Sequence, residues 1–132
     1  MSAEDVEIVR RLIEAWNRGD YSAALASIDP EIELNVAYHA DIDGTYRGHA
    51  GLAEMLGVFW AEFERPRIEI EEAMHVGNVV VLGVRFFGRG KKSGVEVDAP
   101  AWHAWTMREG LAVRWQLLRT KQEALEAAGL SK

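Results

Sequence analysis

The chain has 132 residues, no cysteine and a formal net charge of −6, with 48% apolar and 27% charged residues. That is the length of one domain, long enough to bury a core without disulfides or metal. The missing thiols exclude disulfides, thiolate zinc sites and cysteine nucleophiles. The acidic balance, with no basic run beyond Lys91-Lys92, argues against nucleic-acid binding, which favours a concentrated basic face.

In chain order, Ile8, Val9, Leu12, Ile13 and Trp16 recur at helical spacing, and Gly19 is placed to end that helix in a left-handed cap. Asp20 caps a second, shorter helix predicted to reach about Ile28, where Asp29-Pro30 stops it because the residue before a proline avoids the helical region. Glu31 to Val36 alternates as a half-buried strand. Ala37 to Arg47 reads as an irregular loop. Gly48 to Glu64 is predicted helical, with Leu52, Met55, Leu56, Phe59, Trp60 and Phe63 on its inner face.

The remainder reads as sheet. Arg67 to Val76 alternates until Glu71-Glu72, which suggests a bulge. Gly77-Asn78 turns the chain into Val79 to Phe87, apolar on both faces as in a central strand. Val95 to Arg108 is a long strand in which Pro100 requires an edge or a bulge. Glu109-Gly110 leads into Leu111 to Arg119, and Thr120 with Glu123 forms a capping box for a last helix. Hairpin-linked strands pair antiparallel, so the expected fold is a single α+β domain over residues 1–132, with N-terminal helices packed on a curved, mainly antiparallel sheet.

Four stretches carry a family resemblance. They are Val9 to Asp20, Gly44-Thr-Tyr-Arg-Gly-His49, Trp105-Thr-Met-Arg-Glu-Gly110 and Glu123 to Leu130. Together they resemble the nuclear transport factor 2-like superfamily, most closely its SnoaL-like polyketide-cyclase and ketosteroid-isomerase-like branch. The resemblance implies a cone-shaped fold enclosing a pocket, and homodimerisation through the sheet. Members include isomerases, dehydratases, cyclases, epoxide hydrolases and non-catalytic binding or dimerisation modules. Ketosteroid isomerase uses a carboxylate base with an oxyanion hole of tyrosine and protonated aspartate. Aligned by eye, those positions fall here at Leu12, Val36 and Trp102, none of which moves a proton; a one-residue shift supplies Asn35 or His103.

The candidate catalytic residues are therefore His103, set between Trp102 and Trp105, and the pair His39 and Asp41 in the loop bordering the pocket mouth. Alternation puts Trp102 and His103 on opposite strand faces, so one of them points inward. Candidate ligand-binding residues are Trp16, Val36, Tyr46, Leu56, Phe59, Trp60, Phe63, Phe86 and Trp102, an aromatic and apolar set suited to a small apolar molecule. For each the plainer alternative is core packing, and for His39 and Asp41 a solvated turn. No metal site and no cofactor are expected, since His39-x-Asp41 lacks a third ligand. Trp105, Trp115 and the outward side of Val79 to Phe87 are expected to leave an apolar sheet face for a second copy of the chain. With no membrane-length apolar run and an acidic N-terminus, a cytoplasmic location is expected. The functional expectation is a cofactor-independent lyase, isomerase or cyclase using general acid–base chemistry on an apolar substrate. The alternative is a non-catalytic ligand-binding or dimerisation module.

Overall fold

The apolar stripe of the first segment forms as predicted. In a computed structural model, which describes residues 2–39 and 42–129 but not the side chains of 2, 37–39, 42–44 and 58–60, α1 spans Ser2–Asn17. Val9, Leu12, Ile13 and Trp16 are buried. Gly19, at φ 78°, closes the helix, its N–H bonding the Trp16 carbonyl while the Asp20 N–H reaches back to Ala15. α2 is a single turn, Tyr21–Leu25, capped by the Asp20 carboxylate on the Ala23 N–H at 3.2 Å.

That second helix is shorter than predicted. The preference of the residue before Pro30 for extended backbone does not merely stop a helix; it starts β1, which spans Ile28–His39. Ile28 pairs with Ala112 on the far side of the chain, a long-range contact with no local signature. The stretch read as an irregular loop is a hairpin arm. β2 spans Ile42–Arg47 and pairs antiparallel with β1 through Glu33–Arg47, Leu34–Tyr46 and Asn35–Thr45.

α3 runs Gly48–Glu62, two residues short of the expected end, and β3 (Phe63–Val76) begins at Phe63. Phe63 pairs with Gly90 across the sheet, so it leaves the helix for the strand. β4 (Val79–Gly90), β5 (Glu96–Arg108) and β6 (Leu111–Leu118) follow, then α4 at Lys121–Ala127. The order across the sheet is β2-β1-β6-β5-β4-β3. All pairs are antiparallel except β1 with β6, which is parallel. The sheet is therefore mixed. The chain crosses from β2 to β3 through α3 and returns strand by strand until β6 meets β1. α1 and α3 on one face of this sheet give the expected α+β cone.

Local expectations about the strands hold where the cause is local. The β3 register shifts between Ile70 and Glu72, at the predicted bulge. Pro100 pairs with Arg85 on β4, while β6 pairing with β5 begins only at Trp102, so Pro100 stands on a local edge. Thr120 accepts from the Glu123 N–H at 3.1 Å, and Glu123 Oε1 accepts from the Arg119 N–H at 2.9 Å.

Two faces of the sheet have different chemistry. The inner face carries the main core, with Val80, Leu82, Val84, Trp105 and Trp115 under α1 and α3. Trp105 and Trp115 were expected on the outer face; both are buried inside, so they do not supply the apolar surface expected for a sheet-face homodimer. On the outer face Val79, Val81 and Ala104 pack with Ala124 of α4. Beyond that helix the face is charged, with Arg85 on Asp98 at 2.6 Å and Arg114 on Asn35 at 2.9 Å.

Trp102 belongs to this outer cluster. Its ring lies over Gly83 of β4, where an added Cβ would meet the ring tip at 2.8 Å, and the Lys121 ammonium sits 5.8 Å from the ring centroid. Gly83→Ala is expected to lower stability by about 1–3 kcal/mol, because the ring must tilt out from under α4. Urea unfolding measures it; unchanged or increased stability would mean that the indole swings aside freely.

Candidate functional site

Between the inner face of the sheet and helices α1 and α3 lies a cavity of about 70 Å³. α1 supplies Ile13, Trp16 and Asn17, and α3 supplies Met55 and Leu56. The sheet supplies Val36, Phe86, His103, Trp105 and Trp115, among others. The register explains the choice: Trp105 pairs with Trp115, and His103 pairs with Leu82 on one side and Leu117 on the other. Residues on neighbouring strands at these positions share the inner face.

The three aromatic groups on β5 and β6 form one unit. Trp105 and Trp115 stack with centroids 4.6 Å apart and planes 10° apart. His103 stands against Trp115 at 5.3 Å, and Trp16 meets Trp115 edge-on at 6.3 Å. Such contacts contribute about 0.5–1.5 kcal/mol per pair beyond area burial.

His103 is 2% exposed. Its Nδ1 accepts a hydrogen bond from the Trp105 indole Nε1–H at 3.3 Å. Burial pushes its pKa down to about 3, because an imidazolium between Leu82 and Leu117 has lost its hydration without gaining a counter-charge. At neutral pH the ring is uncharged. An indole only donates, so the bonded Nδ1 is the acceptor nitrogen and the proton is on Nε2.

Asn17 pins the end of α1 to β3. Its Nδ2 donates to the Ile68 carbonyl at 2.7 Å and its Oδ1 accepts from the Ile68 N–H at 3.0 Å. These Ile68 groups lie just past the register shift between Glu64 and Arg67, where the regular ladder is interrupted. Arg67 at the rim is held by Glu69 at 2.7 Å. Among the described residues the wall carries no carboxylate. Nor do the described residues place three or more His, Cys, Asp or Glu side chains together for a metal, and none of their helices is long and apolar enough to cross a membrane.

Of the residues singled out from the sequence, the structure brings together Trp16, Val36, Leu56, Phe86 and His103 on the cavity wall. Three others stand elsewhere. Trp102 faces α4, because it and His103 alternate along β5. Tyr46 packs against the main core from β2. Phe63, shifted into β3, meets Phe86 edge-on at 5.1 Å and stands behind it. The side chains of His39, Asp41, Phe59 and Trp60 lie outside the described residues. Of the adjacent pair Trp102 and His103 on β5, it is thus His103 that faces the cavity, whereas on β1 Val36 faces in and Asn35 faces out to Thr45 and Arg114.

Trp105 and Trp115 are the wall residues that sequence reasoning placed on the wrong side. Parity contained the signal for Trp105: it is two residues from His103 and must share its face. Trp115 has no such local clue, since its face follows from its pairing with Trp105.

Comparison with known proteins places this geometry. A family model described as SnoaL-like domain matches residues 9–115. An NTF2-like protein from Burkholderia pseudomallei is 19% identical, with TM-score 0.80 over 96% of this chain and 98% of the other. TerC, crystallised with polyporic acid, is 22% identical, with TM-score 0.79 over 96% and 98%. An NTF2-like protein from Burkholderia xenovorans is 26% identical, with TM-score 0.73 over 97% and 98%. No curated protein matches the chain.

Proposed function

Because this chain belongs to the SnoaL-like family, whose fold carries a cavity for small molecules, we propose that its cavity binds a compact, largely apolar molecule and that His103 acts on it in cofactor-independent isomerase, lyase or cyclase chemistry. The observation that carries this reading is a neutral imidazole, held by Trp105 at 3.3 Å, in a described wall made mainly of aromatic and aliphatic groups. With its pKa near 3, His103 is not an imidazolium at neutral pH and is a weak base. Its role is that of a neutral hydrogen-bond donor, stabilising negative charge that develops on a substrate oxygen. In a dry site such a bond is stronger than in water. Removal of a proton then requires a base, for which His39 and Asp41 are the candidates.

The second reading is a binding module without catalysis, favoured by the absence of a carboxylate from the described wall. Exchange of the α-hydrogens of 2-tetralone in D2O, followed by NMR, separates the two. The enzyme reading expects wild-type protein to speed exchange well beyond buffer, and His103→Phe to remove about 10²-fold of that acceleration. Quenching of tryptophan fluorescence by 2-tetralone without faster exchange supports the binding module. Failure of the probe to bind counts against both.

A further inference from the structure

The polar side chains on the described cavity wall are three indoles, one amide, one guanidinium and one imidazole. Indoles and guanidinium groups only donate. The amide of Asn17 is occupied on both atoms by the backbone of Ile68, at 2.7 and 3.0 Å. The Trp115 indole N–H is buried with no partner among the described residues. Among the described wall side chains, the imidazole of His103 is the one whose free ring nitrogen is a donor or an acceptor according to which nitrogen holds the proton. The Trp105 indole makes that choice by donating to Nδ1.

We propose that Trp105 is a positioning residue: its indole N–H holds the His103 proton on Nε2, so that the imidazole presents a donor to the cavity and favours ligands bearing an acceptor oxygen. The chemical class is a ketone, quinone, ether or enolate oxygen on a compact apolar frame. An amine or ammonium at the same place would leave its own N–H groups unpartnered in an apolar cavity, which is costly. A hydroxyl fits only by accepting. Both groups in the switch are structural neighbours on one strand, two residues apart, so the device is intrinsic to β5 and needs no motion of the helices. The inference rests on the ligand-binding reading above for its consequence, but not for the tautomer itself.

Two measurements test it. The first is the ¹⁵N spectrum of histidine-labelled protein at neutral pH, with the His103 signals identified by their loss in His103→Asn. Wild type is expected to show a protonated Nε2 and an unprotonated Nδ1 as a single tautomer. In Trp105→Phe, which keeps a ring but has no N–H, a tautomer mixture is expected. An Nδ1–H tautomer in wild type, or an unchanged single Nε2–H tautomer in Trp105→Phe, overturns the proposal. If Trp105→Phe does not fold, the wild-type spectrum still decides. The second measurement compares 2-tetralone, tetralin and 2-aminotetralin by tryptophan fluorescence. The ketone is expected to bind wild type roughly tenfold more tightly than tetralin, and the amine at least as weakly as tetralin. In Trp105→Phe the ketone's advantage is expected to fall to about two- to threefold. Equal binding of all three to wild type overturns the selectivity while leaving the cavity a binding site. Binding of none sinks the ligand-binding reading, and the spectrum alone then judges Trp105.

Discussion

Trp105→Ala is expected to lower the free energy of unfolding by about 3–5 kcal/mol, the range for removing a large aromatic side chain from a core. Trp105 is fully buried. It stacks on Trp115 at 4.6 Å and supplies the hydrogen bond to His103. Alanine removes the transfer term, the stacking and the bond together, and it leaves a buried imidazole nitrogen without its donor. The hole would adjoin a cavity that already exists, so collapse of the neighbours recovers little. Against a total stability of about 5–15 kcal/mol for a domain, this is a large fraction. A urea midpoint measured at neutral pH, with the slope checked for constancy, reads the effect. A loss below about 1 kcal/mol would show that Trp115 and Trp16 repack into the space.

A second large effect concerns acid. His103 has a folded-state pKa near 3 against an ordinary value of 6.5, the cause being burial. The unfolded chain therefore binds a proton on this ring through the interval in which the native state does not. Stability is fully present above pH 6.5 and is lost as pH falls towards 3, at about 1.4 kcal/mol per pH unit once well below 6.5. The described wall offers no carboxylate to soften this, and its one charged side chain, Arg67, would repel an imidazolium. His103→Asn, which keeps an acceptor near the position of Nδ1, removes the titration. Between pH 6.5 and 4.5 wild type is expected to lose about 2–3 kcal/mol more than His103→Asn. Unfolding curves at a series of pH values in that window measure the difference, and most surface carboxylates, being common to both proteins, cancel. Parallel pH profiles would mean that the ring titrates normally in the folded protein.

The elements that were legible from the chain are those whose cause is local. The stripe of Val9, Leu12, Ile13 and Trp16 specifies a helix face by spacing alone. The bulge near Glu71, the edge position of Pro100 and the box of Thr120 with Glu123 each follow from the chemistry of one or two residues. The errors come from pairing between strands, most of it at long range. Ile28 to Pro30 joined a strand because Ala112 lies beside Ile28. Phe63 left its helix because Gly90 lies opposite. The segment read as a loop became β2 because β1 offered it an edge.

The same division runs through the candidate site. His103 was visible as a histidine set between two tryptophans, but neither its face nor its partner was; among the described residues it is the one polar or charged side chain that is buried. A strand's alternation says that Trp102 and His103 diverge; it does not say which of them turns inward. That choice belongs to the sheet as a whole, since the inner face is whichever side α1 and α3 cover.

Thus the amino-acid sequence by itself determined the helical and extended segments, the α+β class, the family resemblance and the lack of cysteine chemistry. These follow from periodicity, turn residues and composition, which act over a few neighbouring positions. Only the tertiary structure decided that β1 and β6 run parallel, that Trp102 belongs to the outer face, and that Trp105 with Trp115 walls the cavity. It also decided the state of His103, because an imidazole's charge and tautomer depend on the atoms packed around it: Leu82 and Leu117 on neighbouring strands, and the indole N–H of Trp105 beside Nδ1.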